Sequence, residues 1–142
     1  MILFNRLYQP DFDIEELEIE RSLHLSDSSE LLLRLTWLAV LSGNTGASLG
    51  ATGGVHTAVD AIKTIMAGAH AVQMVSALLR NGPDHLRTVR QEVAHWMEEH
   101  EYESLAQMQG NMNLQHCPDA KAFERINYVH LLHSWQPYVG SR

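Results

Sequence analysis

Length, composition and charge restrict the classes of protein to which this chain can belong. Its 142 residues are 45% hydrophobic and 19% charged, which is typical of a globular domain and excludes disordered or collagen-like chains. The net charge of −7 argues against a general nucleic-acid binder, which needs a basic surface. The single cysteine, Cys117, excludes an internal disulfide and a zinc site made only of cysteines.

No segment has the features of a signal peptide or a membrane span. The N-terminus lacks a basic stretch followed by an apolar one. The apolar run Leu31–Leu41 contains Arg34 and is too short to cross a bilayer. We therefore expect one domain over residues 1–142, a cytoplasmic location, and neither a membrane nor a nucleic-acid partner.

The N-terminal part predicts a strand followed by an acidic excursion. Met1–Phe4 is an apolar run that fits the end of a strand. Residues 8–27 are polar and rich in Glu, and we expect them to cross the surface, with small strands at Leu17–Ile19 and Leu23–Leu25. Asp27 stands three residues before Glu30, a capping-box spacing that predicts a helix from there to about Leu41. Gly43 is the expected C-terminal stop of that helix.

The middle of the chain alternates predicted strands and helices. Ala47–Ala51 reads as a buried strand that enters a turn at Gly53-Gly54. Thr57, with Asp60 three residues on, predicts the start of a helix over Ala58–Ala67, and Ala71–Val75 is the next strand. Asn81-Gly82-Pro83 then breaks the chain, and Pro83 suits the first position of a third helix. The apolar positions of that helix share one face: Leu86, Val89, Val93, Trp96 and Met97.

This alternation predicts an α/β fold with a parallel sheet, followed by a further helix after Pro118-Asp119. In such a sheet the turn at Gly53 and Gly54 and the end of the next strand, at Ser76, share one edge. Open glycine N–H groups, a helix N-terminus and a hydroxyl together suit a phosphate. A diglycine turn also occurs where only backbone geometry requires it.

Three motifs resemble the C-terminal part of dihydroorotate dehydrogenase-like flavoproteins. They are Leu3-Phe4-Asn5-Arg6, Ala51-Thr52-Gly53-Gly54-Val55 and Ala67-Gly68-Ala69-His70-Ala71-Val72-Gln73-Met74-Val75-Ser76-Ala77-Leu78. The stretches Trp96–Tyr102 and Ala122–Tyr128 look like the tail of that branch. The resemblance implies a partial (β/α)8 barrel with about three parallel β–α units, the sixth to the eighth, plus C-terminal helices. It also implies an FMN-dependent oxidoreductase of pyrimidine biosynthesis type, with a dihydroorotate-like substrate.

Site residues follow from the resemblance by position. Gly53, Gly54, Ser76 and Ala77 would hold the FMN phosphate, and Asn5 would lie near the flavin ring and the substrate. Ser76 stands where the family usually has Thr. Val75 stands where many members have Gly, and its branched side chain narrows the approach.

The family's catalytic base and flavin-contacting Lys are expected upstream of Met1, so the chain resembles the last part of an enzyme. Cys117 and Lys63 do not match those two positions. The alternative is an inactive barrel fragment that acts by forming a homo-oligomer or by pairing with a missing N-terminal half. A different phosphate-binding barrel is a third interpretation.

Metal binding is not predicted. His130 and His133 have a spacing that places both on one helix face, but no third ligand completes a site. We expect the nine histidines to be exposed or to be satisfied in the core.

Overall fold

A computed structural model of the chain describes residues 1–5, 10–20 and 22–116. In chain order the elements are β1 (Ile2–Leu3), β2 (Asp11–Asp13), β3 (Glu18–Glu20), a 3-10 turn (Ser28–Glu30), α1 (Leu31–Leu41), β4 (Gly50–Thr52), α2 (Ala58–Met66), β5 (Ala71–Gln73), α3 (Ser76–Asn81), α4 (His85–Glu99) and α5 (Leu105–Met108).

The central sheet has the strand order β1-β4-β5, and both strand pairs are parallel. Ile2 pairs with Gly50, which in turn pairs with Ala71, so the three strands run in register. The α/β class and the parallel sheet predicted from the alternation of elements are therefore confirmed. Because the strands share one direction, the loops after β4 and β5 leave the sheet at the same edge.

Two apolar clusters hold the helices against the sheet. One joins Leu3 and Leu38 to the buried residues around β4, and the other joins Leu31 of α1 to Val55 and to Val89 of α4. Leu38 is completely buried. The packing places the N-terminal turn of α1 directly beside the loop that follows β4.

The end of α1 and the start of α2 lie where the sequence predicts them. Thr57 and Asp60 form a capping box at the start of α2, and α1 ends at Leu41 before Gly43, whose φ is +81°. At the start of α1, however, Asp27 accepts a hydrogen bond from the Ser29 N–H and caps the 3-10 turn. The predicted reciprocal box with Glu30 is not what forms there.

The structure corrects three local predictions. The excursion contains an antiparallel hairpin of β2 and β3, in which Asp11 pairs with Glu20, whereas Leu23–Leu25 is not a strand. The predicted strand Ala71–Val75 ends earlier, at Gln73, and the short helix α3, which the sequence did not predict, begins at Ser76. Pro83 lies in the turn before α4, which begins at His85.

The predicted helix after Pro118-Asp119, as well as His130 and His133, lies outside the described residues. In the described part of the chain, no helix has both the length and the apolar character that crossing a membrane requires.

Candidate functional site

A cavity of about 220 Å³ opens at the carboxyl edge of the sheet, where the loops after the three parallel strands meet. Its wall is formed by Asn5, Ser26, Thr52, Gly53, Gly54, Val55, Gln73, Val75 and Ser76. None of these side chains carries a formal charge, so the wall offers only backbone groups, hydroxyls and amides.

The diglycine turn has a conformation that other residues rarely adopt. Gly53 and Gly54 have φ angles of +82° and +83°, in the left-handed region that favours glycine. A Cβ atom on Gly54 would lie 2.5 Å from the backbone nitrogen of Leu31. The turn therefore needs glycine both for its φ angles and for its close approach to α1.

Ser26 connects the two strand-end loops. The Gly54 N–H points at Ser26 Oγ at a long distance of 3.5 Å, and the Ser26 N–H donates to Ser76 Oγ at 3.2 Å. Ser26 Oγ also lies 3.2 Å from His56 Nε2. Gly54 and Ser76 thus share one neighbour, which places the two predicted phosphate-binding loops at one cavity.

Ser26 is the residue that the sequence reasoning missed. It is only 4% exposed and belongs to a segment, residues 25–28, that we call the strap. Arg80 donates to the Leu25 carbonyl oxygen at 3.0 Å, and Ser28 Oγ donates to Asp60 Oδ2 at 2.7 Å. No local motif marks Ser26, because every one of these contacts joins residues far apart in the sequence.

The other predicted site residues divide into two groups. Asn5 and Ser76 line the cavity together with Gly53 and Gly54, whereas Ala77 is completely buried in α3 and does not line it. Val75 also lines the cavity, and its φ of −120° and ψ of −58° lie outside the usual helical and extended regions.

The N-terminus of α2 does not offer the free donors that the sequence suggested. The backbone N–H groups of His56 and Thr57 both donate to Asp60 Oδ2 at 3.0 Å, and the Asp60 N–H donates to Thr57 Oγ1. Burial raises the pKa of Asp60, but hydrogen bonds from Ser28 and from the backbone of His56 and Thr57 outweigh it, so the pKa lies below its usual value. The capping box has consumed these donors, so the groups that line the cavity are those of the diglycine turn and the serines rather than the start of α2.

Among the described residues, no group of three His, Cys, Asp or Glu side chains could hold a metal ion. His95 is one of the exposed histidines, and its Nε2 lies 3.2 Å from Glu99 on the same helix.

The fold and the cavity define a class of α/β protein in which a parallel strand ends in a diglycine turn that lines a cavity. Residues 38–97 match the family model described as dihydroorotate dehydrogenase. This segment contains β4, α2, β5 and α3, and with them Gly53, Gly54 and Ser76. Over this segment the chain is similar to the dihydroorotate dehydrogenase family.

A solved structure, a ligand-free type DHODH from Eimeria tenella, is similar at 31% sequence identity with a TM-score of 0.47. The similarity covers 53% of this chain and 20% of the Eimeria chain. This chain therefore corresponds to about a fifth of the length of that protein. Comparison with curated proteins gives no match.

Proposed function

We propose that this chain provides the FMN-phosphate-binding part of an FMN-dependent oxidoreductase of the dihydroorotate dehydrogenase-like family. The observation that carries the proposal is the shared contact of Gly54 and Ser76 with Ser26, which brings two neighbouring strand-end loops to one cavity. Such a pair of loops is how (β/α)8 barrels bind phosphate after their last two strands.

The residues present fit a phosphate. Both glycines have positive φ angles and line the cavity without a side chain, so main-chain atoms of the turn face a ligand there. The cavity of about 220 Å³ is smaller than the roughly 300–1,000 Å³ of pockets that enclose whole ligands. It therefore suits the phosphate end of the cofactor, with the ring lying outside it.

The hydroxyl groups of the cavity are well prepared to donate to an anion. The Ser26 N–H donates to Ser76 Oγ, which leaves the proton of the Ser76 hydroxyl for the ligand. Gly54 makes only a long hydrogen bond to Ser26 Oγ, so its N–H can turn to a phosphate oxygen at little cost. We assign these two groups as donors to the phosphate, with Asn5 at the ring side of the cavity.

In the complete enzyme, β1, β4 and β5 would be the sixth, seventh and eighth barrel strands. A bound flavin supplies the redox chemistry, and the protein contributes binding, orientation and electrostatics. We propose a dihydroorotate-like substrate and a role of pyrimidine biosynthesis type. We assign no residue of this chain as the catalytic base.

Flavin titration of the 142-residue chain tests the proposal. FMN should quench the tryptophan fluorescence of the chain and remain bound after desalting. Ser76→Ala should weaken FMN binding about tenfold to a hundredfold, because a hydrogen bond to a charged group contributes roughly 1.5–3 kcal/mol. Ser104→Ala, an exposed serine without a side-chain cap bond at the start of α5, should bind as the unmodified chain does. A chain that stays colourless, or an unchanged affinity in Ser76→Ala, would contradict the proposal.

A second candidate function is that of an inactive fragment that acts through association. α1 is apolar on both sides: Leu31 and Leu38 are buried, while Leu33 and Trp37 are 59% and 45% exposed. A helix that is apolar all round is normally covered on both sides. In the described part of the chain, β1 and β5 are the outer strands of the three-stranded sheet, so backbone groups remain at its edges.

Sedimentation velocity separates the two candidates. Association through α1 and the sheet edges predicts a dimer or larger species at micromolar concentration in the absence of FMN. A monomer that melts cooperatively and binds FMN would exclude the second candidate.

A further inference from the structure

A buried positive charge lies behind the diglycine turn. Arg34 projects from α1 and is only 6% exposed, and its Nε donates to the Thr52 carbonyl oxygen at 2.6 Å. Its Nη1 donates to the Glu30 carbonyl oxygen. Both partners are neutral. No carboxylate among the described residues lies within 4.0 Å of this guanidinium.

Burial of such a charge needs an explanation. Arginine remains protonated in proteins, and a buried charge is normally paired with an opposite one because it has lost its hydration. Backbone carbonyl oxygens satisfy its hydrogen bonds without neutralising it. A glutamine could donate to one carbonyl from this helix position and bury no charge. The structure thus holds a cation whose counter-ion is not among the described side chains.

The position of the guanidinium indicates where that counter-ion would bind. A Cβ atom on Gly53 would lie 2.8 Å from Arg34 Nη2 and 3.0 Å from Cζ, so the guanidinium lies against the backbone of Gly53. Gly53 and Thr52 form part of the cavity wall. One layer of main chain therefore separates the charge of Arg34 from the cavity.

Other charged groups near the cavity do not fill this role. Arg80 reaches the strap but is exposed, so solvent screens it. His56, which lies behind Ser26, adds positive charge only when it is protonated. Asp27 and Asp60 are acidic and oppose an anion. Arg34 is the permanent, desolvated positive charge beside the diglycine turn in the described structure.

We propose that Arg34 is the counter-charge of the bound phosphate and makes the cavity select a phosphorylated ligand over its uncharged analogue. The inference rests on the proposed function in naming FMN as the ligand. It extends that proposal by assigning selectivity for the phosphate charge to a residue that does not line the cavity.

The test compares FMN with riboflavin, which has the same ring but no phosphate. Arg34→Met removes the charge and keeps an unbranched side chain. FMN affinity should fall about tenfold, the size expected of a charge acting across one peptide layer at intermediate dielectric. Riboflavin affinity should stay within about twofold, because no phosphate is present to sense the charge. Arg34→Lys should keep most of the preference for FMN. Arg87→Met, which removes an exposed arginine of α4, should change neither affinity.

A purely structural tie between α1 and the turn predicts a different pattern. In that case Arg34→Met lowers FMN and riboflavin affinity together, and Arg34→Lys fails to restore either. That result, or unchanged FMN affinity in Arg34→Met, would overturn the proposal. If Arg34→Met does not fold, a preference for FMN that is lost in Arg34→Lys would overturn it equally.

Inorganic phosphate separates this inference from the proposed function. Phosphate should raise the melting temperature of the unmodified chain and raise it less in Arg34→Met. If the unmodified chain responds in this way but does not bind FMN, the flavin assignment fails and the counter-charge stands. If phosphate has no effect on the unmodified chain, the counter-charge proposal fails.

Discussion

Asp60 is the residue whose substitution best tests how the strap is held. Its Oδ2 accepts three hydrogen bonds, from Ser28 Oγ at 2.7 Å and from the backbone N–H groups of His56 and Thr57 at 3.0 Å. The carboxylate is 7% exposed and joins the strap to the first turn of α2. Asp60→Asn keeps the shape and one acceptor oxygen but removes the charge.

The expected loss follows from these three bonds. A hydrogen bond to a charged group contributes about 1.5–3 kcal/mol and a neutral one about 1 kcal/mol, so each bond weakens by about 0.5–2 kcal/mol. The amide also avoids the cost of burying a charge, which offsets part of the loss. We expect Asp60→Asn to lower the free energy of unfolding by about 2 kcal/mol. With a urea slope of about 1–3 kcal/mol per molar, the midpoint falls by about 1 M.

The difference in the free energy of unfolding between the unmodified chain and Asp60→Asn should depend on pH in a defined direction. The pKa of Asp60 in the folded chain lies below its ordinary value of 3.8. A depressed pKa means that the ionised form stabilises the fold above the unfolded pKa, and that this contribution disappears as the pH falls through the folded pKa. The gap between the unmodified chain and Asp60→Asn should be constant at neutral pH and narrow below 3.8.

Urea unfolding followed by tryptophan fluorescence, at several pH values, measures this gap. Asp84→Asn is the matched control, because Asp84 forms an exposed pair with Arg87 at 3.2 Å, and such pairs contribute about 0–1 kcal/mol. Equal midpoints for Asp60→Asn and the unmodified chain at neutral pH would refute the reasoning. So would a gap that does not narrow in acid.

Two further substitutions test the turn and the exposed face of α1. Gly54→Ala should lower the free energy of unfolding by about 3 kcal/mol or more, since it combines a left-handed φ with a clash against Leu31. The control is Gly46→Ala, where a Cβ meets nothing within 4 Å, and its free energy of unfolding in the same urea assay should be nearly unchanged. Trp37→Ala should weaken any self-association measured by sedimentation velocity, whereas Leu105→Ala, which changes a similarly exposed residue of α5, should not. Equal weakening by both substitutions would argue against a specific contact through α1.

Local signals predicted the elements that are built from neighbouring residues. The spacing of Thr57 and Asp60 predicted the start of α2, and the glycine after α1 predicted its end, because capping contacts join residues a few positions apart. The order of β4, α2 and β5 follows from the same kind of pattern. The convergence of Gly54 and Ser76 was also accessible, since parallel strands share a direction.

The rest depends on contacts that no local pattern encodes. Ser26 meets Gly54 and Ser76 across 28 and 50 positions of sequence, and Arg34 reaches Thr52 across 18. The first turn of α2 was predicted to donate to a ligand, but the carboxylate of Asp60 that signals the cap also occupies those donors. A capping motif identifies where a helix begins without showing whether its N–H groups remain available.

The contacts of Ser26 imply that an anion bound in the cavity would stabilise the folded chain. An anion held by the diglycine turn and the two serines would touch three segments, two of which are separated from Ser26 by 28 and 50 positions. It would act as a reversible crosslink that closes these long loops, and closing long loops costs entropy. By mass action such a ligand favours the folded chain over the unfolded one. Protease resistance of the segment between the acidic hairpin and α1 would then rise with ligand concentration.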